Sequence, residues 1–235
     1  LAHGDKIVVT YTATLDANAV VGGSGNPNKV KLEYSNNPND EGTGETPEKA
    51  VVVFTYKTII NKVKKGTDGN NVPLAGAEFT LSKFIASEGG RDTVKVNDTE
   101  YHGTWNRGMT VVPTNTGNIA NVFTFSGLDA GIYRLTETKT PAGYNTIDPV
   151  YFEIVATNNG TKVTNMEGKA VNDSEISFTE NATDGSLTTD IVNQSGTVLP
   201  STGGMGTTVF YVVGGGLMAV AVVLLVTKKR MENKR

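Results

Sequence analysis

The sequence of 235 residues contains no cysteine, which excludes disulfide bonds, thiolate metal sites and a cysteine nucleophile. Histidine is scarce as well, with two residues, and no grouping of Ser, His and Asp or of metal ligands indicates a surface enzyme, a metal or a cofactor. The net charge is −3, although five Lys and Arg residues fall in the last eight positions, so the rest of the chain is too acidic to favour a nucleic acid partner. Any covalent cross-link here needs side chains other than cysteine.

Residues that favour strands and turns are abundant instead. Thr, Val, Asn and Gly recur in short alternating runs separated by turn signals, a pattern typical of an all-β sandwich. Residues 7–14 and 30–35 predict two strands, which are too few to be stable alone and are expected to finish an upstream sandwich. The apolar run 50–63 predicts one long strand that leads into a second sandwich without a flexible linker. We therefore expect an upstream remnant over 1–49, a sandwich over 50–195 and a different segment over 196–235.

Within the second sandwich the largest insertion, residues 87–108, is expected to be a loop with one short strand. Trp105 in this insertion is either an exposed binding anchor or, more commonly for a lone aromatic, a residue that packs the loop. The strands of this sandwich are predicted near 77–84, 94–96, 109–112, 120–125, 131–138, 149–156, 174–179 and 187–193.

The C-terminal segment differs in kind from the rest of the chain. Residues 209–226 (VFYVVGGGLMAVAVVLLV) carry no charge, and about 18 residues at 1.5 Å each would span roughly 27 Å, close to the thickness of a hydrocarbon core. The basic sequence KKRMENKR follows at once, as expected for a single transmembrane helix with a cytoplasmic tail. A buried helix of a soluble domain is the alternative, and the basic cluster disfavours it.

The motif LPSTG stands just before this apolar run, at Leu199, Pro200, Ser201, Thr202 and Gly203. The pentapeptide, the apolar span and the basic tail together resemble the sorting signal of Gram-positive wall proteins. The resemblance implies a sortase substrate, cut between Thr202 and Gly203 and joined through Thr202 to peptidoglycan or to another pilin subunit. The membrane span would then be transient, and the mature protein would be secreted and anchored to the cell wall.

A second motif surrounds a carboxylate that a strand would bury. In GIYRLTETKTPAGYN, strand alternation places Glu137 on the same face as Tyr133 and Leu135, where an unpaired charge is costly. A simple exposed salt bridge to Lys139 or Arg134 is the plain alternative, but it does not explain the apolar alternation. The stretch YRLTETKTPAGY resembles a conserved box of Cna protein B-type domains, which are Ig-like sandwiches of Gram-positive pilins and adhesins.

That resemblance implies an intramolecular isopeptide bond between Lys62 on the first strand and Asn193 on the last, assisted by Glu137. Burial favours the neutral form of both an amine and a carboxyl, which prepares the first as a nucleophile and the second as a proton carrier. Lys64 and Lys65 are competing lysines, and Lys64 shares a strand face with Lys62.

The first region carries a weaker form of the same signal. VKLEYSNNPN resembles the last strand of the penultimate isopeptide-forming domain of backbone pilins, and Asn36 continues the Leu32 and Tyr34 face better than Asn37. Ordinary turn asparagines look the same. The resemblance as a whole implies a structural subunit of a covalently polymerised pilus rather than an enzyme, with sortase and other pilin subunits as partners. A wall-anchored adhesin whose stalk is built from such domains is the alternative.

Overall fold

The computed structural model describes residues 4–36, 39, 41–115 and 119–196, and this part of the chain consists of strands and loops without an α-helix. No helix in this part could therefore cross a bilayer. The strands in chain order are β1 (Asn26–Val30), β2 (Glu33–Ser35), β3 (Thr43–Glu45), β4 (Lys49–Val53), β5 (Tyr56–Lys65), β6 (Asn71–Pro73), β7 (Glu78–Ala86), β8 (Asp92–Val96), β9 (Thr99–Trp105), β10 (Met109–Val111), β11 (Val122–Leu128), β12 (Gly131–Lys139), β13 (Val150–Asn158), β14 (Val163–Ala170), β15 (Thr179–Asn181) and β16 (Ser186–Asn193).

Two sheets enclose the main core, and the all-β sandwich predicted from the sequence is confirmed. One sheet has the order β11-β5-β16-β15, with β6 beside β5, and the other has the order β14-β13-β12-β7-β9-β8, with β10 beside β7. Inward residues alternate along the strands, as the period of two requires. Aromatic side chains dominate the core, and four of them are fully buried: Phe79, Phe123, Phe125 and Phe152.

The first and last strands of this sandwich, β5 and β16, lie side by side and run parallel. Ile191 is opposite Lys62 in the ladder, and Asn193 is opposite Lys64. Both strands are mostly buried on one face, which agrees with the predicted alternation. The two ends of the sandwich thus meet at neighbouring strands, and a bond between them would close almost the whole domain.

The N-terminal region has much less regular structure than predicted. Residues 7–14 form no strand, because no described segment supplies a ladder for them, and most of their side chains are exposed. Two small antiparallel pairs, β1 with β4 and β2 with β3, make up the remaining strands of this region. The division at residues 49 and 50 stays a prediction.

The predicted single strand over 50–63 is also wrong. The strand is interrupted at Phe54 and Thr55. The strand β4, which pairs with β1, ends before these two residues, and β5, which belongs to the sandwich sheet, begins after them. A turn from the N-terminal region contacts the sandwich there, since the amide of Gly22 donates to the carbonyl of Thr55 at 2.7 Å. Gly22 has a positive φ of 62°, and a Cβ atom there would lie 2.3 Å from the backbone nitrogen of Gly185, so glycine is required at this close approach.

The insertion over 87–108 is better ordered than the sequence analysis predicts. It contains the β8–β9 hairpin, whose Asn97 and Asp98 both have positive φ, as a two-residue hairpin turn requires. Trp105 is half-buried and packs against Phe84 and Tyr151, with ring centroids 5.2 and 5.7 Å away. This arrangement supports the packing interpretation of the tryptophan.

Two further differences concern the last third of the chain. The strand β14 was not predicted, because its sequence VTNMEGKA alternates weakly. The strand predicted over 174–179 is absent except for its last residue, which begins β15.

Candidate functional site

The structure brings Lys62, Glu137 and Asn193 together between the two sheets. Lys62 and Asn193 come from the neighbouring strands β5 and β16, whereas Glu137 comes from β12 in the opposite sheet. The side chains of Lys62 and Glu137 are fully buried, and Asn193 is 1% exposed. Three polar groups therefore share one pocket inside an apolar core.

Each of the three side chains contacts the other two. The Nζ atom of Lys62 donates to Oδ1 of Asn193 and lies 3.3 Å from Oε1 of Glu137. The Nδ2 atom of Asn193 donates to Oε1 and Oε2 of Glu137 at 3.1 and 3.2 Å. The amine thus faces the carboxamide directly, and the carboxyl group bridges the amine and the carboxamide nitrogen.

The surroundings of the amine favour its neutral form. The Nζ atom lies 5.5 Å from the ring centroid of Phe79, which pairs with Glu137 in the β12–β7 ladder. Burial lowers the pKa of Lys62, and the nearby carboxylate of Glu137 opposes this effect only in part. A lysine in this position is therefore a better nucleophile than one exposed to water.

Residues that the sequence analysis missed hold the backbone of Lys62 and the carboxyl group of Glu137. Asn121 accepts from the Lys62 amide at 2.7 Å through its backbone carbonyl, and its own side chain donates to the Lys62 carbonyl at 3.0 Å. The second oxygen of Glu137, Oε2, accepts from the Thr140 hydroxyl and from the Ile147 amide, both at 3.2 Å. Thr140 lies three residues after Glu137 in the TETKTPAGY stretch. This closeness to Glu137 within one motif is the sequence signal that could have identified Thr140.

The competing lysines point elsewhere. Lys64 is opposite Asn193 in the ladder, yet its side chain is only partly buried and its Nζ atom lies 6.0 Å from the ring centroid of Tyr144. Lys65 is exposed at the end of β5.

The plain alternative for Glu137 finds no support in the ion pairs. Lys139 pairs with Glu78 at 2.9 Å, and the guanidinium of Arg134 lies 4.6 Å from the ring centroid of Trp105. Lys62 is the cation that contacts Glu137.

The other predicted site residues do not join this pocket. Asn36 is exposed at the end of β2, where its Nδ2 atom donates to the Thr43 carbonyl at 3.3 Å. The sorting motif at Leu199, Pro200, Ser201, Thr202 and Gly203 lies outside the described residues, as does the span 209–226. Within the described part of the chain, no group of acidic, His or Cys side chains is arranged to hold a metal.

Two known families match different parts of this chain. Residues 60–170 match the SpaA family of prealbumin-like fold domains, and residues 191–233 match the LPXTG cell wall anchor motif. The chain is therefore an all-β surface protein of a Gram-positive bacterium, anchored to the cell wall.

One curated relative aligns over most of this chain. The chain is 26% identical to the trypsin-resistant surface T6 protein of Streptococcus pyogenes serotype M6, over 94% of this chain and 48% of that protein. It thus spans about half the length of this curated relative. Both this relative and the anchor motif point to a surface protein.

Solved pilin structures are similar at low identity. The T6 backbone pilin of S. pyogenes serotype M6 aligns at 20% identity with a TM-score of 0.44, covering 77% of this chain and 45% of that chain. The group B streptococcus pilus 2b backbone protein aligns at 22% identity with a TM-score of 0.37, covering 68% of this chain and 50% of that one.

Proposed function

We propose that this protein is a structural subunit of a covalently polymerised pilus, and that an isopeptide bond between Lys62 and Asn193 stabilises it from within. The observation that carries the proposal is the buried contact of the lysine amine with the asparagine carboxamide beside Glu137. The domain boundaries that fit this role are an upstream remnant over 1–49, a Cna B-type sandwich over 50–195 and a sorting segment over 196–235.

The bond forms by one acyl transfer within the folded chain. The neutral Nζ of Lys62 attacks Cγ of Asn193, and Glu137 takes a proton from the attacking nitrogen. Glu137 then returns this proton to Nδ2, the bond between Cγ and Nδ2 breaks, and ammonia leaves. The products are a secondary amide and one ammonia, so atoms and charge balance without a cofactor. Each chain reacts once, and the protein modifies itself rather than turning over a substrate.

The fold accelerates formation of the isopeptide bond, and the bond in turn stabilises the fold. The core fixes the amine, the carboxyl and the carboxamide in contact, which replaces a bimolecular encounter by a fixed geometry. Lys62 and Asn193 are 131 residues apart in sequence, and the chain-entropy relation used for disulfides gives about 5 kcal/mol for closing such a loop. Tension that enters at β5 and leaves at β16 would pass through this bond instead of the hydrogen bonds of the sheets.

The sorting segment would link the stabilised module to its surroundings. Sortase cuts between Thr202 and Gly203 and transfers the threonyl carbonyl to an amine of peptidoglycan or of another subunit. The protein supplies the substrate for this step. In cells that express the matching sortase, we expect a ladder of high-mass polymers in the wall fraction, and Thr202→Ala abolishes that ladder if this step is correct.

Intact mass spectrometry tests the internal bond. We expect the purified chain to be lighter than its sequence by one ammonia, and Lys62→Ala, Asn193→Ala and Glu137→Ala to keep the full mass expected for each variant. Glu78→Ala is the matched control, because Glu78 is an exposed glutamate paired with Lys139. A wild-type chain with the unmodified mass would refute the proposed bond.

A further inference from the structure

The carboxyl group of Glu137 has two oxygens in different surroundings. Oε1 faces the reacting groups, 3.3 Å from Nζ of Lys62 and 3.1 Å from Nδ2 of Asn193. Oε2 also lies near Asn193, at 3.2 Å, but it additionally accepts from the Thr140 hydroxyl and the Ile147 amide. The loop over 140–147 therefore binds one oxygen and leaves the other open to the chemistry.

These donors decide which oxygen can hold a proton. A backbone amide can only donate, so Oε2 must keep a lone pair directed at Ile147. The Thr140 hydroxyl lies 2.7 Å from that of Thr146, and since Thr140 gives its hydrogen to Glu137, Thr146 is the donor in that second contact. A proton on Oε2 would compete with two donors, whereas Oε1 has no such competitor from the loop.

The same loop is fastened to the strand that carries Asn193. The Asn145 amide donates to the Gln194 carbonyl at 3.0 Å, and Tyr144 forms a bridge with Ser195. These contacts lie one and two residues beyond Asn193. The loop thus connects the carboxyl group with the end of β16.

Building on the proposed isopeptide bond, we propose that Thr140, with the Ile147 amide, is a positioning residue that reserves Oε2 of Glu137 for hydrogen bonds and keeps on Oε1 the proton that moves from Lys62 to Asn193. Loss of the Thr140 hydroxyl removes one of the two loop donors. The carboxyl group can then rotate or hold its proton on the wrong oxygen. Hydrogen bonds to charged groups predict about a ten- to hundredfold slower reaction.

The test follows bond formation in the full chain made by cell-free translation. Samples are quenched over time in acidic denaturant, and intact mass gives the fraction that has lost one ammonia. We expect Thr140→Val to slow this loss about ten- to hundredfold, and Thr140→Ser to restore a rate near that of the wild type. Thr138→Val is the matched control, since Thr138 is an exposed threonine next to Glu137, and it should react at the wild-type rate.

Two measurements separate slow chemistry from a poorly folded loop. Fluorescence of Trp105, the only tryptophan, reports folding of each variant in parallel. In a Glu137→Ala background the bond cannot form, and Thr140→Val should then lower the melting temperature less than it does in the presence of Glu137, because only the contact with Thr146 is left to lose. An equal loss of stability in both backgrounds would show a purely structural role and overturn the inference.

The outcomes also distinguish this inference from the proposed function. If the wild-type chain never loses ammonia, the isopeptide bond itself is refuted. If the wild-type chain reacts and Thr140→Val reacts equally fast, or if Thr140→Ser fails to restore the rate, only the role of Thr140 is refuted.

Discussion

Asn193 and Asn36 both follow the last alternating residues of a strand, yet their surroundings differ completely. Asn193 is 1% exposed and contacts a buried amine and a buried carboxyl group. Asn36 is exposed, and its side chain donates to the Thr43 carbonyl. The comparison teaches that an asparagine at a strand end is shielded from water and held against an amine and a carboxyl group only where a second sheet covers it.

The sandwich and the N-terminal region as a whole also differ in how far they bury their side chains. The sandwich closes around a continuous aromatic core, whereas the N-terminal region leaves many large apolar side chains exposed, among them Ile7, Val9, Val30 and Leu32. Two-stranded pairs such as β2 with β3 cannot enclose a pocket. Among the residues that the structure describes, a site shielded from water therefore exists in the sandwich and not in the N-terminal region.

The largest effect is expected from removing Asn193. Asn193→Ala prevents the cross-link, and we expect the free energy of unfolding to fall by about 5 kcal/mol, because the unfolded chain regains the freedom of a 131-residue loop. Chemical denaturation measures the difference. The double variant Lys62→Ala with Asn193→Ala should be little less stable than either single variant, since both remove the same bond. Additive losses would contradict a shared bond.

A smaller effect concerns pH. In Asn193→Ala the amine of Lys62 stays free, and burial lowers its pKa, so the unfolded chain binds more protons than the folded chain between the folded pKa and the ordinary lysine value of about 10.4. Stability should then rise with pH across this window, by at most about 1.4 kcal/mol per pH unit. The contribution is lost as pH falls through the folded pKa.

The wild type provides the control for this titration. Its Lys62 nitrogen would be part of an amide, so the difference in unfolding free energy between wild type and Asn193→Ala should shrink as pH rises. A difference that is constant over the window would mean that the amine of the variant is not buried.

A still smaller effect is expected for Lys64. Its Nζ atom lies near the ring of Tyr144, so Lys64→Ala should cost at most about 1 kcal/mol of unfolding free energy. Intact mass should still show the loss of one ammonia. If Lys64→Ala kept the mass expected without ammonia loss while Lys62→Ala still lost ammonia, Lys64 would be the reactive lysine.

The smallest effect is expected for Asn36. Asn36→Ala removes one exposed hydrogen bond, so the free energy of unfolding of this chain should change by less than about 0.5 kcal/mol. Its mass should show the same ammonia loss as the wild type. A second ammonia loss that disappears only in Asn36→Ala would make the two regions alike and break the comparison.

Among the site residues, the strand period by itself locates Glu137, because it is a local rule, whereas Lys62 and Asn193 are expected from the resemblance to Cna protein B-type domains. The strand period places Glu137 with Tyr133 and Leu135, and all three are buried. The same period groups Lys62 with Lys64, and it gives no means of choosing between them. The strand β14 is not predicted because its sequence alternates weakly, even though it pairs with the preceding strand β13 in a hairpin. In the insertion one strand is expected near 94–96, whereas β9 is missed because most of its side chains are exposed and give no apolar alternation.

The amino-acid sequence by itself determined the all-β class, the burial of Glu137 and the LPSTG segment with its apolar run, because composition, strand period and short motifs are local properties. Only the tertiary structure decided which lysine meets Asn193. In the ladder Asn193 lies opposite Lys64, but the side chain of Lys62 extends within the core to the carboxamide and to Glu137 from the other sheet. That choice depends on how two sheets pack, and the packing also brings the Thr140 loop onto Glu137.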